Sequence, residues 1–470
     1  MKSNLVYSVL NVFVSTLFPI IVFPYIARAL GAEGVGSYNF YNQAVSYIAL
    51  FTSFGINIYG VSEIGKYKDD IVKRSQVAIE LFSFNFLNAL VFFIVISYFA
   101  FNSGYSEDFL LITLLSTILL SNAIAVEWFF VGIEYQKYIL IRSFIVKIIS
   151  LGFIFLFVKT EHDLLNYVLI VVLGLVSPAM FNFYYFLKKV SFKVVKKINL
   201  KIHFKFLFTI FLVETSFRYF GMADTVILGA KEPKVIVGYY SLALSVFSII
   251  CSFIRVSAIT LLPRASYFLN YNLMDEFGVL INNTIKFILF IGVPSSIAMF
   301  IWSDFIVSVL GGDGFEQSSV ILKLFAPLII VSSLINMLIF QILYPQNQIK
   351  SIVISLVAGI LINLILNFIL IPLYGAIGVV ISSLISQLVI LLIIIKINKK
   401  FVLSAFFSRD MFIYIYAGIA LILSVSILNF IFGSTNIILQ WTIGALTYIG
   451  SLLIFKEQFF INYMLKWLNR

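Results

Sequence analysis

Long apolar stretches separated by short clusters of charged residues dominate the chain. A membrane-spanning helix needs about 20 apolar residues, whereas barrel strands alternate apolar and polar positions over about 10 residues. The stretches here lack that alternation and are about twice as long as barrel strands. We therefore predict an all-α polytopic membrane protein with about 14 transmembrane helices. The predicted spans lie at 5–30, 36–62, 77–101, 109–133, 143–158, 164–187, 206–230, 237–262, 279–302, 318–343, 351–371, 377–395, 412–432 and 438–455.

The composition excludes a water-soluble fold. Of the 470 residues, 61% are hydrophobic and 11% are charged, and the mean hydropathy is +1.07. Soluble globular proteins carry about 25% charged residues. The single cysteine, Cys251, excludes an internal disulfide framework. The two histidines, His162 and His203, fall in predicted loops and are too few for a zinc or haem centre, so we expect no metal site.

The positive charges are distributed very unevenly between the two sides of the predicted membrane. One set of alternating loops holds 4 Lys and Arg residues, the other set with the termini holds 23, and 5 fall inside spans. Cytoplasmic loops are the ones enriched in Lys and Arg. We therefore predict a multi-pass membrane protein with both termini in the cytoplasm. The split also accounts for most of the net charge of +11, so the chain needs no nucleic-acid partner.

The longest and most basic loop, 188–205, separates six spans from eight, and the two parts share a motif. Leu30-Gly31-Ala32 precedes Val35-Gly36, and about 200 residues later Leu228-Gly229-Ala230 precedes Val237-Gly238. Six spans is an even number, so both copies have the same orientation, which predicts a parallel repeat. The predicted domains are an N-terminal six-helix lobe (1–187), a basic cytoplasmic linker (188–205), a C-terminal six-helix lobe (206–395), and two extra helices with a tail (396–470). The tail has the aromatic residues of an interfacial helix, Phe459, Phe460, Tyr463 and Trp467.

Several short segments, taken together and in order, point to one family. The chain resembles the polysaccharide-export flippases of the multidrug/oligosaccharidyl-lipid/polysaccharide (MOP) exporter superfamily, in particular its O-antigen (Wzx-type) flippases. The matching segments are Phe18-Pro19 through Leu30-Gly31, Glu127-Trp128 through Glu134-Tyr135, Leu262-Pro263-Arg264, Tyr344-Pro345-Gln346-Asn347-Gln348, and Ile371-Pro372 through Ile377-Gly378.

The resemblance implies a flippase and not an enzyme. Its substrate would be an oligosaccharide linked to polyprenyl diphosphate, moved from the cytoplasmic to the outer leaflet by alternating access. The resemblance also implies the bacterial plasma (inner) membrane as the location. Membrane lipids, a polysaccharide polymerase and a chain-length regulator are the expected partners. The chain has no GxxxxGK[ST] phosphate-binding loop, so we expect no direct use of ATP and no cofactor. Coupling of transport to a proton or sodium gradient is the alternative that the sequence leaves open.

The seventh predicted span holds three ionisable residues, Glu214, Arg218 and Asp224. Such residues are costly inside a membrane and usually face a cavity or a partner. Glu214 and Arg218 are four residues apart, so they share a helix face and can pair. Arg218 lies about 20 Å from Lys205 and from Lys231, near the bilayer midplane. Two interpretations stay open: an ion pair that joins helices, or a cavity cation for the diphosphate that Glu214 tunes. Asp224 is a further candidate for charge tuning or ion coupling.

Four more cations are candidates for binding the diphosphate. Arg255, Lys286 and Lys147 lie in the inner parts of their predicted spans, where they either line the cavity or extend to the cytoplasmic surface. Arg28 lies near the outer end of the first span, and the resemblance implies that it faces the substrate path. Arginine suits this role because its planar fork binds phosphate in a bidentate manner and stays charged.

Two prolines and one acid complete the candidates. Pro19 and Pro24 lie in the first span, where each removes a backbone donor. They form either a static kink or a hinge that bends between inward and outward states. Glu127, beside Trp128, is either a buried acid in a packed helix or a site for a coupling ion.

Two other functions compete with the flippase. A cation-coupled multidrug exporter of the same superfamily would favour a cavity rich in carboxylates and aromatic residues, whereas this chain offers arginines. An integral-membrane sugar polymerase or ligase should have a long outer loop with arginines or a histidine. The longest outer loop predicted here, 303–317, has about 15 residues.

Overall fold

A computed structural model of the chain describes residues 2–102, 108–192, 198–398, 409–432 and 436–461. These residues are mostly helical and include no β-strand, so the predicted all-α class is confirmed. The helices are α1 (Lys2–Ser53), α2 (Ile56–Lys66), α3 (Ile71–Asn102), α4 (Phe109–Ala125), α5 (Glu127–Gly132), α6 (Gln136–Phe157), α7 (Leu164–Lys189), α8 (Lys201–Lys231), α9 (Lys234–Thr260), α10 (Leu262–Asn270), α11 (Met274–Ile301), α12 (Ser303–Leu310), α13 (Ser318–Met337), α14 (Ile349–Tyr374), α15 (Ala376–Ile397), α16 (Arg409–Phe432) and α17 (Ile437–Ile454). A 3₁₀ turn (Glu161–Asp163) precedes α7, and a π-helical turn (Leu338–Leu343) extends α13.

Within the described residues, 12 stretches are long and apolar enough to cross a membrane, or 13 if the bent helix α8 is one span. The predicted number of 14 is therefore not confirmed. The difference lies in the first stretch, Leu17–Lys66, which is counted once but covers parts of the first two predicted spans. A straight helix of 50 residues would be about 75 Å long, against about 30 Å of hydrocarbon.

Gly31 divides α1 into two legs. Its backbone angles, φ 66° and ψ 179°, lie outside the helical region, and the positive φ is readily adopted only by glycine. Before it, Tyr25 donates a hydrogen bond to the carbonyl of Val158, just after α6 (2.7 Å). After it, Tyr38 packs on Tyr167 at the start of α7 (4.8 Å between ring centroids). The first leg of α1 therefore packs beside the end of α6, and the second leg packs beside the start of α7, with Gly31 at the turn between them.

The chain forms two compact units, of which the first comprises Met1–Ser241 and Ser308–Phe315. One of its cores gathers α1, α3, α4 and α7 around fully buried Leu115 and Val168. A second core gathers α2, α3, α5 and α8 around aromatic residues such as Trp128 and Phe129. Gly132 has no side chain, which allows α2 and α5 to approach closely. A Cβ at this position would lie only 2.8 Å from Ile64. Small residues permit such close packing where lipid offers no hydrophobic drive between helices.

A buried polar chain attaches the start of α8 to α2 and α3. His203 Nε2 lies 3.0 Å from Glu80 Oε2, and His203 Nδ1 lies 2.8 Å from the Tyr59 hydroxyl. Glu80 also accepts hydrogen bonds from Gln76 and from the backbone N–H of Asn199. The prediction that His203 lies in a loop is therefore wrong. The basic stretch before it suggested a loop, but α8 begins at Lys201 and its partners bury the imidazole.

The second unit comprises Leu242–Val307 and Glu316–Arg470. Polar side chains join its helices inside an apolar environment. Between α14 and α15, Asn363 donates to Ser383 (3.3 Å), and within α14 Asn367 donates to Asn363 (3.0 Å). Trp302, after α11, donates to Gln440 of α17 (3.0 Å), and Gln440 donates to Asn429 of α16 (2.9 Å). Interhelical hydrogen bonds of this kind stabilise packed membrane helices.

The compact units divide at Ser241, inside α9, whereas the predicted lobes divide at 188–205. The predicted lobes, linker and repeat stay predictions. In the predicted tail, Phe459 and Phe460 are described, and Phe460 packs on Phe290 of α11 (5.5 Å). Tyr463 and Trp467 lie outside the described residues.

The predicted orientation can be tested by thiol labelling. In a Cys251→Ala background, we expect Lys188→Cys to react with a membrane-impermeant maleimide only after the cytoplasmic side is exposed. Asp313→Cys should react in intact cells. Both positions are exposed, so a buried thiol does not explain a negative result. The expectation follows from the 23-to-4 distribution of Lys and Arg. Rapid labelling of Lys188→Cys in intact cells would contradict it.

Candidate functional site

Arg218 and Glu214 of α8, in the first unit, form the pair that their spacing predicts. Arg218 Nε lies 3.4 Å from Glu214 Oε1, with the Arg218 side chain 54% exposed and that of Glu214 10% exposed. Arg218 comes 17 residues after the start of α8 and 13 before its end, or about 26 and 20 Å. More than half of the Arg218 side chain stays exposed beside this contact. An exposed arginine near the middle of a span can meet an anionic ligand.

Helix α8 bends close to this pair. The parts on either side of residue 217, Lys201–Ser216 and Arg218–Lys231, differ in direction by 59°. Phe220 (ψ 134°) and Gly221 (φ 88°, ψ −48°) also leave helical geometry. Discontinuous helices are typical of binding sites in transporters, because the break frees backbone polar groups. Asp224, beyond the break, is only 1% exposed. The three ionisable residues of this span are thus in different environments: an exposed arginine, a shielded glutamate and a buried aspartate.

The Arg28 side chain donates a hydrogen bond to a distant segment of the same unit, at Val309. Its Nη1 donates to the carbonyl of Pro24 (3.1 Å) and its Nη2 to the carbonyl of Val309 (2.6 Å). Its stem lies against Gly312, which has a positive φ of 73°. Part of the predicted loop 303–317 is helix α12, and Arg28 binds the end of that helix. The side chain is nevertheless exposed, so its predicted place on a substrate path stays a prediction.

Pro19 and Pro24 both lie within α1, where the backbone keeps helical angles. The position that leaves helical geometry is Gly31, seven residues after Pro24. The structure therefore places the turn of this segment beyond the prolines. Whether the prolines form a static kink or a hinge stays a prediction.

The hinge interpretation predicts that Pro19→Ala/Pro24→Ala lowers export. Each alanine restores a backbone donor, to the carbonyl of Ser15 or Ile20, and should stiffen the first leg of α1. A shift of about 1 kcal/mol between two states would lower export about fivefold, because it changes populations and not contacts. Binding of lipid-linked sugar, measured in the same detergent preparation, should survive. Export at the wild-type rate would show that the prolines form only a static kink.

A second break occurs between α4 and α5, at Glu127. Val126 has a positive φ of 41°, unusual for a β-branched residue. Asn182 of α7, which is fully buried, donates to the carbonyl of Ala125 (2.6 Å) and so satisfies one end of the break. The Glu127 side chain is 53% exposed, which does not match the interpretation as a buried acid. Its role as a coupling site stays a prediction.

Two cations from α6 neighbour Glu127. Arg142 Nη2 lies 2.5 Å from Glu127 Oε1, and Arg142 Nη1 donates to the carbonyl of Pro178 (3.3 Å). Lys147 interacts electrostatically with Glu127 and donates to the hydroxyl of Ser15 on α1 (2.7 Å). Our sequence analysis missed Arg142, because hydropathy alone starts this span at 143 whereas α6 starts at Gln136.

In the second unit, Lys286 and Arg255 differ in exposure. Lys286 Nζ lies 3.9 Å from Glu457 Oε1, with side chains 10% and 0% exposed. Glu457 also accepts a hydrogen bond from the backbone N–H of Phe460 (2.6 Å). Lys286 is thus paired with the segment after α17, and its predicted contact with substrate stays a prediction. Arg255 is exposed and lies one turn after the buried Cys251.

The second unit also holds an apolar cavity of about 480 Å³ between α11, α13 and α16. Phe300, Pro327 and Ile422 are among its lining residues, and Ser296 and Asn429 provide polar groups. Phe300 is 56% exposed and Ile422 42% exposed, so the cavity reaches the protein surface. In a membrane protein such a cavity suits a hydrocarbon chain. Among the described residues, no cluster of three or more His, Cys, Asp or Glu side chains is arranged to hold a metal ion.

Two family models match the chain. The model described as polysaccharide biosynthesis protein matches residues 1–268, and the MatE model matches residues 209–369. A curated protein of Escherichia coli (strain K12), named "Putative O-antigen transporter", is 23% identical over 353 residues. That alignment covers 74% of this chain and 84% of the relative.

Solved structures share the fold. The lipid II flippase MurJ, in an inward closed conformation, matches with a TM-score of 0.67 and 17% identity over 94% of this chain and 99% of that protein. An inward-facing multidrug resistance MATE family transporter of the MOP superfamily matches with a TM-score of 0.65 and 11% identity, over 82% and 94% of the two chains. At these identities the likeness establishes the fold and leaves the substrate to be argued from the residues.

Proposed function

We propose that this chain, which belongs to the polysaccharide biosynthesis protein family, is a flippase for an oligosaccharide linked to polyprenyl diphosphate. It moves this lipid from the cytoplasmic to the outer leaflet by alternating access. The observation that carries the proposal is Arg218, an exposed arginine near the middle of a bent membrane helix, with Glu214 one turn away. The oxygens of a diphosphate can accept bidentate hydrogen bonds from this planar, permanently charged guanidinium.

The apolar cavity of the second unit supports a lipid substrate. Its lining offers aliphatic and aromatic side chains, and its partly exposed residues would face membrane lipid. Burial of a hydrocarbon chain contributes about 0.8 kcal/mol per methylene group. This cavity would therefore accommodate part of a polyprenyl chain.

A multidrug exporter is the second candidate, since the MatE model matches residues 209–369. Cationic drugs would be repelled by Arg218 and Lys147 of the first unit, whose side chains are exposed and half-buried. The predicted carboxylates fit that function less well, because Asp224 is buried and Glu127 is paired with Arg142. The charges therefore favour an anionic substrate. A sugar polymerase or ligase is disfavoured because much of the longest predicted outer loop is helix α12.

The same proposal implies a cellular location and partner proteins. The protein would reside in the bacterial inner membrane with cytoplasmic termini, and a polysaccharide polymerase and a chain-length regulator would act on its product. Coupling to a proton or sodium gradient stays a prediction, with Glu127 and Asp224 as the candidate sites.

Deletion of the gene tests the proposal in cells. We expect lipid-linked oligosaccharide to accumulate in the cytoplasmic leaflet, where an impermeant glycosidase added to intact cells does not reach it. Re-expression of the wild-type chain should make it accessible. Accumulation in the outer leaflet would instead indicate a block in polymerisation or ligation. Loss of dye efflux with normal glycolipid distribution would favour the multidrug exporter.

A further inference from the structure

Two glycines bring the two copies of the repeated motif into backbone contact. A Cβ on Gly36 would overlap the carbonyl oxygen of Lys234 and lie 2.8 Å from the backbone nitrogen of Gly238. A Cβ on Gly238 would overlap the carbonyl oxygen of Ala32. Real Cβ atoms do not approach so closely, so any other residue at either position forces the backbones apart. All four residues belong to the first unit.

The contact has two-fold symmetry in sequence. Gly36 meets residue 234, and Gly238 meets residue 32, so each partner is displaced by 202 residues from its counterpart. The neighbouring residues, Val35 and Val237, are related by the same displacement and are both fully buried. An interface in which i meets j and j meets i is the mark of a two-fold axis. The contact therefore joins corresponding points of the two copies.

Side chains around Lys234 secure this contact. Lys234 Nζ donates to the carbonyl of Gly229 (2.7 Å) and lies 3.3 Å from the centroid of the Phe40 ring. The ring of Phe40 also occupies the space where a Cβ on Gly229 would lie. Beside it, the Tyr41 hydroxyl donates to Asp108 (2.5 Å). A cation over an aromatic ring is attracted by the negative face of the ring, so this pair helps to hold the contact closed.

We infer that the Gly36–Gly238 contact is a latch that closes the outer side of the transport path and opens when substrate leaves. The inference rests on the proposed function, in which the two copies of the repeat move relative to each other. Both turns lie on the side that the charge distribution predicts to be outer. A backbone contact between the copies at one end of the path cannot persist in the inward-open and outward-open states alike.

Thiol labelling tests the latch in the full-length protein. Val35→Cys in a Cys251→Ala background should react slowly with an impermeant maleimide added to intact cells, because the position is fully buried. Adding Gly238→Ala should hold the contact open and raise the labelling rate at least about tenfold. The symmetric combination, Val237→Cys with Gly36→Ala, should respond alike. Gly152→Ala is the matched control, because a Cβ there meets no atom within 4 Å.

Measurements of export distinguish a failure of the latch inference from a failure of the proposed function. Gly36→Ala and Gly238→Ala should lose export, and Gly152→Ala should keep it. If a glycine variant fails to fold, Lys234→Met, which adds no Cβ at the contact, should still raise labelling of Val35→Cys about threefold. Unchanged labelling in the glycine and lysine variants, or export by Gly238→Ala at the control rate, would overturn the latch. Raised labelling in a protein whose wild-type form moves no lipid-linked sugar would overturn the proposed function alone.

Discussion

Arg218→Ala should abolish export while the protein still inserts and folds. The exposed guanidinium near the middle of α8 is expected to make two charge-assisted hydrogen bonds to the diphosphate. Such bonds contribute about 1.5–3 kcal/mol each, so the transport rate should fall about 100-fold or more. Arg218→Lys should retain part of the activity, because a point charge replaces a bidentate fork. Transport of extracted lipid-linked oligosaccharide into proteoliposomes is the measurement.

The matched control for this variant is Lys323→Ala. Lys323 is also a cation in a membrane helix with a carboxylate partner, Asp304 at 3.2 Å, but it lies only five residues after the start of α13. Exposed ion pairs contribute little, so export and stability should change by less than about twofold and 1 kcal/mol. Normal export by a well-expressed Arg218→Ala protein would remove Arg218 from the substrate site and leave the ion pair with Glu214 as a purely structural contact.

Lys286→Met should destabilise the protein strongly. It leaves Glu457, which has no exposed surface, without its cation. Removal of one partner of a buried ion pair costs about 3–5 kcal/mol, so the variant should unfold at a markedly lower temperature in detergent. The segment after α17 should loosen as well, since Glu457 also binds the backbone of Phe460. Thermal unfolding of the purified variant is the measurement.

A double substitution decides between the structural and the substrate-binding role of Lys286. Lys286→Met/Glu457→Gln removes both charges and should recover most of the lost stability, because no unpaired charge remains buried. If Lys286 acts only on structure, export should recover with stability. A stable double variant that does not transport would show that the lysine contacts the substrate.

Element type and membrane location could be predicted from the sequence. The length of the apolar stretches matches the thickness of the bilayer, and the charge clusters between them mark the loops. The predicted spans after the second each overlap a membrane-spanning candidate, α8 being the bent one. The pairing of Glu214 with Arg218 was equally accessible, since helical spacing fixes which residues share a face. The repeated turn at Gly36 and Gly238 was visible as a motif, although its backbone contact was not.

The remaining features depend on tertiary partners that leave no local pattern. His203 is buried because Glu80 and Tyr59, more than 120 residues away along the chain, bind both ring nitrogens. Arg142 was counted with the loops because hydropathy starts its span at 143, and its partner Glu127 lies on another helix. The left-handed Val126 has no sequence signal, since β-branched residues normally avoid that conformation. Gly31, and not the prolines, turns α1, a distinction that hydropathy does not contain.

We expect this chain alone to move a lipid-linked oligosaccharide across a membrane. The most direct test is reconstitution of the purified chain in proteoliposomes with lipid-linked oligosaccharide extracted from the deletion strain. An impermeant glycosidase outside the vesicles then reports the fraction in the outer leaflet over time. We expect this fraction to change with wild-type protein and to stay constant with Arg218→Ala or in protein-free vesicles. Equal rates in wild-type, variant and protein-free vesicles would contradict the account.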